Sequence, residues 1–399
     1  MNRCSDALRV LVTVTFVPNQ LRSHLLPFIA LDEVDEIVLV TDKPGPPLAK
    51  VSTVVPPAWL RRLCGRAVSK LLLCLFIARR FRPEWVVGFN LVPHALTALF
   101  AARVCGARAM YQQIGGPREW LGGGWSSDNK ILGRQRCPSR AIEQLLLAAV
   151  RRADAVAAMG ERGRRALIER GVDPARIHLL PPATSIGHVQ GRQQELCDYD
   201  IVTVGALLPN KRTTDLLAAV AALKRQGRSV RAVVVGTGPL QGALETQAAA
   251  LGISESVAFL GFRDDVVEIC ARSRVFTLLS ESEGLSVALL DAMALGVPAV
   301  VSDVGELSSL VEDGITGFLY KCGDIRALTQ KLSLVLDDPH LQLRLGDAAR
   351  HRAQAIGSVD VVSARLRQVL TEAIASPRDR SRGGWAVVRA RAGHDRHVQ

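Results

Sequence analysis

Short runs of apolar, often β-branched residues recur along the chain, separated by longer mixed stretches. The runs are apolar at consecutive positions, whereas a strand with one face in water alternates apolar and polar residues. Continuous apolarity is typical of strands covered on both faces, so the pattern predicts parallel sheets flanked by helices. The ten predicted strands are Arg9–Thr15, Glu36–Thr41, Trp85–Phe89, Arg108–Gln112, Ala155–Ala158, Asp200–Val204, Val230–Val235, Val257–Leu260, Val275–Leu279 and Ala299–Ser302.

Helix-length stretches alternate with these strands, and the alternation is interrupted once, near the middle of the chain. Pro181, Pro182 and a polar, glycine-containing run up to Asp198 mark the break, as expected at a domain boundary. We predict an α/β protein with a first domain over 1–183, a linker over 184–198, a second domain over 199–376 and a disordered basic tail over 377–399. The predicted helices are Ala95–Cys105, Arg140–Arg152, Thr213–Gln226, Leu240–Leu251 and Leu285–Leu295.

Length and composition limit the classes of protein to consider. A chain of 399 residues with 48% hydrophobic and 22% charged residues is too long for one core and too apolar for a disordered protein. The mean hydropathy of +0.17 is high, yet no uncharged apolar run is longer than the eight residues of Leu71 to Ala78, far short of the ~20 residues of a membrane helix. No cleavage site follows the first apolar run, so we expect a cytoplasmic protein.

The spacing of the cysteines predicts free thiols and no metal centre. They are scattered along the chain without a CxxC spacing or a Cys/His cluster, so we expect them to be reduced and predict no metal site. The eight are Cys4, Cys64, Cys74, Cys105, Cys137, Cys197, Cys270 and Cys322.

The net charge of +12 is unevenly distributed. Residues 1–190 carry 26 Lys and Arg against 14 Asp and Glu, and residues 191–376 carry 18 against 22. A cationic first half favours an anionic surface or polymer as partner, with solubility charge as the alternative. The aromatic content of 5% argues against stacking platforms for single-stranded nucleic acid, and we expect no nucleic-acid partner.

The segment Leu60 to Arg82 contains seven positive charges and no negative one around aliphatic residues. This composition is typical of a helix that lies on an anionic membrane surface. An ordinary domain helix with a solvated basic face has the same composition, and only exposure separates the two interpretations.

A candidate phosphate site follows the first strand of the second domain. Val202 to Leu208 leads through a glycine turn to Lys211 and Arg212, just before a predicted helix. Free N–H groups and the helix dipole favour anions at such a position. The later turn GTGPLQG has no GxGxxG spacing, so a dinucleotide fingerprint is absent.

The stretch from Ser280 to Leu319 contains the densest set of candidate residues. Glu283 and Gly284 are expected in a turn, Leu285 and Ser286 open a helix, and Asp291 lies within it. Carboxylates are acceptors that suit sugar hydroxyls, and the helix N-terminus between the two would face a phosphate. A ligand with a sugar at each end and phosphate between them is a nucleotide sugar, so this arrangement predicts a nucleotide-sugar site. For Ser286, capping of the helix is an equal alternative to a phosphate contact.

Three blocks in this half resemble the donor-binding domain of retaining glycosyltransferases of family 4, the glycosyltransferase group 1. They are VGALLPNK, EGLSVALLDAMALGVPAVV and DGITGFL, in that order. The resemblance implies the GT-B fold of two facing Rossmann-like domains, with the acceptor-side domain first. It also implies a nucleoside diphosphate sugar as donor substrate, with no metal or other cofactor.

By position in these blocks, the resemblance implies three donor contacts. Glu283 would meet the donor hexose, Asp291 the ribose, and Lys211 the diphosphate, with Arg212 as a further cation. The chain departs from the family pattern at Asp291, where Glu is usual, and at Ala206, where Arg is usual. A family histidine near the donor sugar is missing from the segment Tyr111–Pro117.

Candidates on the acceptor side come from loops that follow strands of the first domain. His94 is our candidate catalytic residue there, because ligands bind at the carboxyl ends of parallel strands; packing or capping is the alternative. His24 has a similar position. Gly115 and Gly116 belong to a glycine-rich loop that would allow a ligand to approach closely.

The function predicted from these residues is transfer of a sugar from a nucleoside diphosphate sugar to an acceptor hydroxyl. Cell-envelope polysaccharide or glycolipid synthesis is the expected setting, with a glycan or a lipid-linked acceptor at the inner face of the plasma membrane. Two alternatives remain open: a non-catalytic GT-B scaffold in glycan assembly and a sugar-nucleotide epimerase.

Overall fold

The computed structural model describes residues 7–15, 18–127, 129, 131–135, 137–184, 186 and 197–375. These residues form two parallel sheets of seven and six strands, with helices packed against them. The predicted α/β class with two parallel sheets is confirmed. The predicted tail over 377–399 and most of the predicted linker lie outside the described residues.

The first sheet has the strand order β3-β2-β1-β4-β5-β6-β7, with every neighbouring pair parallel. The order reverses between β1 and β4, where Val10 lies opposite Trp85. Its strands are β1 (Leu8–Thr13), β2 (Val34–Val40), β3 (Val51–Val54), β4 (Trp85–Phe89), β5 (Arg108–Gln113), β6 (Ala155–Ala158) and β7 (Ile177–Leu179). The helices that precede residue 184 are α1 (Pro18–Ile29), α2 (Ala58–Phe81), α3 (Leu96–Cys105), α4 (Arg140–Val150) and α5 (Glu161–Glu169).

The second sheet has the order β10-β9-β8-β11-β12-β13, again parallel throughout. Its order reverses between β8 and β11, so the loops after these two strands are neighbours at the edge where such sheets bind ligands. The strands are β8 (Tyr199–Val204), β9 (Ala232–Val235), β10 (Val257–Gly261), β11 (Ser273–Leu278), β12 (Ala299–Ser302) and β13 (Gly317–Tyr320). The helices are α6 (Thr213–Arg225), α7 (Gln241–Ala250), α8 (Val266–Ala271), α9 (Val287–Ala294), α10 (Leu307–Leu310), α11 (Ile325–Asp337), α12 (Pro339–Gly357) and α13 (Val359–Ala375).

The last helix, α13, returns to the first sheet. Val362, Leu366 and Leu370 are buried in the same apolar cluster as Val10 and Leu25. The chain therefore crosses between the two sheets a second time after α12. The domain bounds given above stay a prediction, but the helix at the end of the predicted second domain packs on the first.

The helix predicted over Leu60–Arg82 is present as α2, with two differences. Gly65 has φ +78° and interrupts the helix after its first two turns. Lys70, one of the seven positive charges counted above, points inward: its ammonium lies 2.9 Å from the carboxylate of Asp42 and 2.8 Å from the Thr15 hydroxyl. The basic face of α2 is therefore made by its arginines alone.

Candidate active site

Lys211 and Glu283 form an ion pair where the loops after β8 and β11 meet. The Lys211 ammonium lies 2.6 Å from Oε1 and 2.8 Å from Oε2 of Glu283. Lys211 ends a short 3-10 turn, Pro209–Lys211, and the backbone N–H of Glu281 donates to the carbonyl of Asn210 in that turn, 2.8 Å away. Two residues predicted from separate motifs as donor contacts are therefore held together by the loops that carry them.

A shallow recess opens beside this pair at the end of β8. Gly205, Ala206, Lys211 and Thr213 are among the residues that line it. It occupies the predicted phosphate position, between the glycine turn and the start of α6. Since Ala206 has no charge, Lys211 is the cation that this lining offers.

Arg212 is turned away from the Lys211–Glu283 pair. It has φ +48°, and its guanidinium binds the carboxylate of Asp215 through bonds of 2.7 and 3.0 Å and Glu281 through a bond of 3.0 Å. These hydrogen bonds, that of Asp215 first, raise the pKa of Arg212 further above its ordinary value. The predicted role of Arg212 at the diphosphate stays a prediction, and its described contacts are with carboxylates.

Gly284 lies against the glycine-rich loop of the first domain. A Cβ atom at Gly284 would be 2.1 Å from the carbonyl oxygen of Ile114, so a larger residue would push the two loops apart. The structure thus brings Gly284 next to the segment that contains Gly115 and Gly116, which the sequence predicted to allow close approach of a ligand. Leu285, by contrast, is a buried core residue.

Ser286 precedes helix α9 as its N-cap. Its side-chain oxygen accepts a hydrogen bond from the N–H of Leu289 at 3.3 Å. This is the capping alternative stated above. Helix α9 starts at Val287, so Glu283 lies in the loop before it. The positive end of the helix dipole faces this loop.

Asp291 is partly buried on α9 and has a partner from outside the second domain. The hydroxyl of Thr184 donates a 2.7 Å hydrogen bond to Asp291 Oδ1. Burial raises the pKa of Asp291 to about 6, and the bond from Thr184 acts in the opposite direction. The ribose contact predicted for Asp291 would therefore be shared with a hydroxyl that sequence reasoning missed.

Glu119 is a second residue that the sequence did not indicate. It is buried, and its carboxylate accepts hydrogen bonds from the N–H groups of Leu91, Ile114 and Gly115 and from the Tyr111 hydroxyl, at 2.5 to 2.9 Å. Burial raises its pKa, although these hydrogen bonds act to lower it. One signal was available: Glu119 is the single acidic residue between Glu84 and Asp128.

The two histidines lie in the packed interior of the first domain. His94 is 4% exposed, its Nδ1 lies 3.0 Å from the Thr13 hydroxyl, and burial lowers its pKa to about 3. Burial lowers the pKa of His24 to about 3 as well, and its ring packs edge-on against Phe89. No hydrogen bond in the described part of the chain joins His94 to Lys211 or Glu283, so its catalytic role stays a prediction.

The seven described cysteines are free thiols. Among the residues that the structure describes, no group of three His, Cys, Asp or Glu side chains is placed to hold a metal ion.

Two family models match the chain, one for each half. The model described as "Glycosyl transferase 4-like domain" matches residues 30–183. The model described as "Glycosyl transferases group 1" matches residues 192–352, which include Lys211, Glu283 and Asp291.

Two curated proteins illustrate the similarity in sequence. N-acetyl-alpha-D-glucosaminyl L-malate synthase of Bacillus anthracis is 34% identical over 140 residues, 35% of this chain and 36% of that protein. MMP alpha-(1->4)-mannosyltransferase of Mycolicibacterium hassiacum is 33% identical over 212 residues, 52% of this chain and 51% of that protein. The chain thus spans about a third to a half of the length of these relatives.

Similarity in structure extends over nearly the whole chain. HepE of Anabaena, solved in complex with UDP-glucose, superposes with a TM-score of 0.72 at 18% identity, covering 92% of this chain and 100% of that one. At this level of identity the likeness shows the fold, and the two-sheet arrangement is that of GT-B glycosyltransferases.

Proposed function

The chain belongs to the group 1, family 4-like glycosyltransferases of GT-B fold, and on that premise we propose that it transfers a sugar from a nucleoside diphosphate sugar to an acceptor hydroxyl with retention of configuration. One observation carries the proposal: Lys211 and Glu283 meet at the carboxyl edge of the second sheet, ahead of helix α9. A cation for a diphosphate and an acceptor for sugar hydroxyls thus stand side by side.

The ion pair indicates how the donor would be accommodated. A diphosphate can replace Glu283 as the partner of the Lys211 ammonium, since charge-assisted hydrogen bonds to phosphate are strong. The released carboxylate can then accept hydrogen bonds from hydroxyls of the donor sugar. Donor binding therefore exchanges one charged contact for two, and neither charge is left without a partner.

Lys211 also serves the chemical step in this proposal. The bond between the anomeric carbon and the phosphate oxygen breaks, and the acceptor oxygen bonds to the same face of that carbon. The acceptor's hydroxyl proton passes to the departing diphosphate. Negative charge grows on that diphosphate, where Lys211 and the N-terminus of α9 stabilise it.

The acceptor is proposed to be a glycan or a lipid-linked precursor presented at an anionic membrane, in cell-envelope or exported polysaccharide synthesis. Helices α2 and α3 pack side by side on one face of the first sheet through Cys74, Ala78, Ala98 and Ala102. Large apolar side chains point outward from both helices: Trp59, Leu63, Val68, Leu72, Phe76, Leu96, Phe100 and Val104.

Charge favours a lipid surface as the occupant of this α2–α3 face. Exposed arginines border the apolar residues, and α2 contains no acidic residue. Apolar side chains ringed by cations are typical of surfaces that enter an anionic headgroup region. No helix within the described residues is long and apolar enough to cross a bilayer.

A screen of nucleotide sugars tests the proposed activity. Purified protein is heated with UDP-, GDP- and ADP-sugars, because a ligand at 100 times its dissociation constant adds about 2.7 kcal/mol of stability. The donor that stabilises the protein is then assayed for sugar transfer, with NMR of the product to read the anomeric configuration. A protein that neither binds nor turns over any of them is better explained as a scaffold, which Ala206 and the missing histidine would fit. A free epimeric nucleotide sugar as product would indicate an epimerase.

A further inference from the structure

A carboxylate of the second domain caps a helix of the first. Glu306 follows β12 and is 3% exposed. Its Oε1 accepts a 2.5 Å hydrogen bond from the N–H of Gly163 in the first turn of α5, and its Oε2 accepts bonds from the N–H of Arg162 at 3.4 Å and the hydroxyl of Ser309 at 2.8 Å. Free N–H groups and the helix dipole make this end of α5 attract negative charge.

The first turn of α5 is shaped to admit this carboxylate. A Cβ atom at Gly160 would lie 2.1 Å from Glu306 Oε2. At Gly163 it would lie 3.3 Å from Glu306 Oε1, and 2.6 Å from the side-chain oxygen of Gln113, a buried residue at the end of β5. Two glycines therefore let the second domain approach the backbone of the first at this point.

The segment that carries Glu306 also supports the loop of Glu283. Gly305 has φ +53°, and a Cβ atom there would lie 1.8 Å from the carbonyl oxygen of Glu283. The Ser302 hydroxyl donates a 2.7 Å hydrogen bond to the carbonyl of Ser280 in the same loop. The segment 302–306 thus touches α5 at one end and lies along residues 280–283.

We propose that Glu306 is a positioning residue that couples the docking of α5 to the placement of Glu283. When α5 is seated on Glu306, the segment 302–306 holds the Glu283 loop where its carboxylate meets the donor sugar. When α5 is not seated, that loop loses its support. The inference rests on the proposed function, in which Glu283 contacts the sugar, and it adds a reason why transfer needs both domains in place.

An ion pair across the same interface provides a matched control. Arg162 and Asp303 are 2.9 Å apart, but both side chains are about half exposed. Exposed pairs contribute little to stability, and Asp303 precedes the close contact at Gly305. Asp303→Asn therefore removes a charge from the interface without touching the Glu306 cap.

The experiment compares Glu306→Ala, Glu306→Gln and Asp303→Asn with the parent. We expect Glu306→Ala to lower kcat for transfer at least tenfold while the Kd for the free nucleoside diphosphate stays within twofold, because Lys211 and Asp291 are not displaced. Glu306→Gln keeps one acceptor oxygen and should recover kcat to within about threefold of the parent. Asp303→Asn should stay within twofold in both measurements.

Two results would overturn the inference: a kcat for Glu306→Ala within twofold of the parent, or a loss of the same size in Asp303→Asn. If Glu306→Ala does not fold, as judged by circular dichroism, Glu306→Asp, whose carboxylate is one methylene shorter, takes its place under the same two limits. If the parent transfers no sugar, the proposed function fails, and X-ray scattering tests the docking of α5 by itself. An unchanged radius of gyration in Glu306→Ala would then overturn the inference, and an increase would support it.

Discussion

Thr184 and Asp291 are 107 residues apart in the sequence, and the Thr184 hydroxyl donates a 2.7 Å hydrogen bond to Asp291 Oδ1. Thr184 also forms an isolated bridge with Ser358, so it lies where the chain passes between the two domains. Asp291 has one methylene less than the glutamate usual in the family pattern. The contact holds the shorter carboxylate in place at the point where the proposed function puts the ribose.

The free energy of unfolding should depend on pH through Asp291. Its pKa of about 6 in the folded protein is above the value of about 3.9 for an unfolded chain, so the folded state binds more protons between these values. The free energy of unfolding should therefore fall as pH rises from about 4 to 6 and level off above that. Asp291→Asn should gain stability relative to the parent over this window, by an amount on the order of 3 kcal/mol.

Melting temperatures of parent and variant, measured from pH 4 to 7.5, check this expectation. Asp347→Asn is the control, since the side chain of Asp347 is 62% exposed. Parallel curves for the parent and Asp291→Asn would contradict the raised pKa.

Removing the charge of Glu283 should abolish transfer without unfolding the protein. Glu283→Gln replaces a charged acceptor, whose hydrogen bonds contribute ~1.5 to 3 kcal/mol each, by a neutral one. We expect transfer to fall at least about tenfold and UDP or GDP binding to stay near that of the parent. Activity within twofold of the parent would remove Glu283 from the site.

The losses of stability caused by changing Lys211 and Glu283 should not be additive. Lys211→Met leaves Glu283 as an unpaired, mostly buried charge, and Glu283→Gln leaves Lys211 unpaired, so each change should cost on the order of 1 to 3 kcal/mol. The double variant removes both charges and should be more stable than the sum of the two losses predicts.

Ligand binding by the Lys211 variants distinguishes a contact with the diphosphate from the effect of Lys211 on stability. Lys211→Met should weaken a nucleoside diphosphate sugar far more than the free nucleoside, in both the single and the double variant. Equal weakening of the two ligands, measured by calorimetry, would show that Lys211 does not contact the diphosphate.

The strands show which parts of the fold the sequence could predict. Ten strands follow from continuous apolar runs, and the three that were missed, β3, β7 and β13, are edge strands. An edge strand is short and has a neighbour on one side only, so its residues need not be apolar throughout. In β3, Ser52 and Thr53 lie between two valines, and β7 has only three residues.

The residues of the candidate site likewise fall into those that the sequence could predict and those that it could not. Lys211, Glu283 and Asp291 could be predicted because local motifs contain them. Their partners could not, because they come from far along the chain: Glu283 is 72 residues from Lys211 and Thr184 is 107 from Asp291. Glu306 and Gly163 are 143 residues apart, and only the folded structure shows that they meet.

Glu119 should be required for the loop that faces Gly284. Its two oxygens accept three backbone N–H groups and one hydroxyl, and the NH2 group of glutamine cannot accept any of them. Glu119→Gln should therefore lower the free energy of unfolding by about 1 to 3 kcal/mol. Chemical denaturation measures this, with Glu161→Gln as a control at a partly exposed surface pair. A change below about 0.5 kcal/mol in Glu119→Gln would contradict the account of the loop.

Membrane attachment through the α2–α3 face is the last expectation. Each Lys or Arg near an anionic leaflet contributes ~1 kcal/mol, and the attraction decays within a Debye length. The protein should therefore sediment with phosphatidylserine-containing vesicles at low salt and be released as salt rises. Replacing Arg79, Arg80 and Arg82 by Gln should weaken this binding at least tenfold and leave nucleotide binding intact.

A matched triple variant tests whether position, and not net charge, decides the binding. Arg225, Arg326 and Arg344 are exposed arginines of the second domain, and their replacement by Gln changes the net charge by the same amount. If both triple variants lose binding equally, the attraction is a general effect of charge. If the parent itself fails to bind such vesicles at low salt, the outward apolar residues of α2 and α3 do not meet a bilayer, and the acceptor is a soluble glycan. Phe76→Ser and Phe100→Ser separate the apolar contribution, since their effect on binding should persist at high salt, where the electrostatic part is screened.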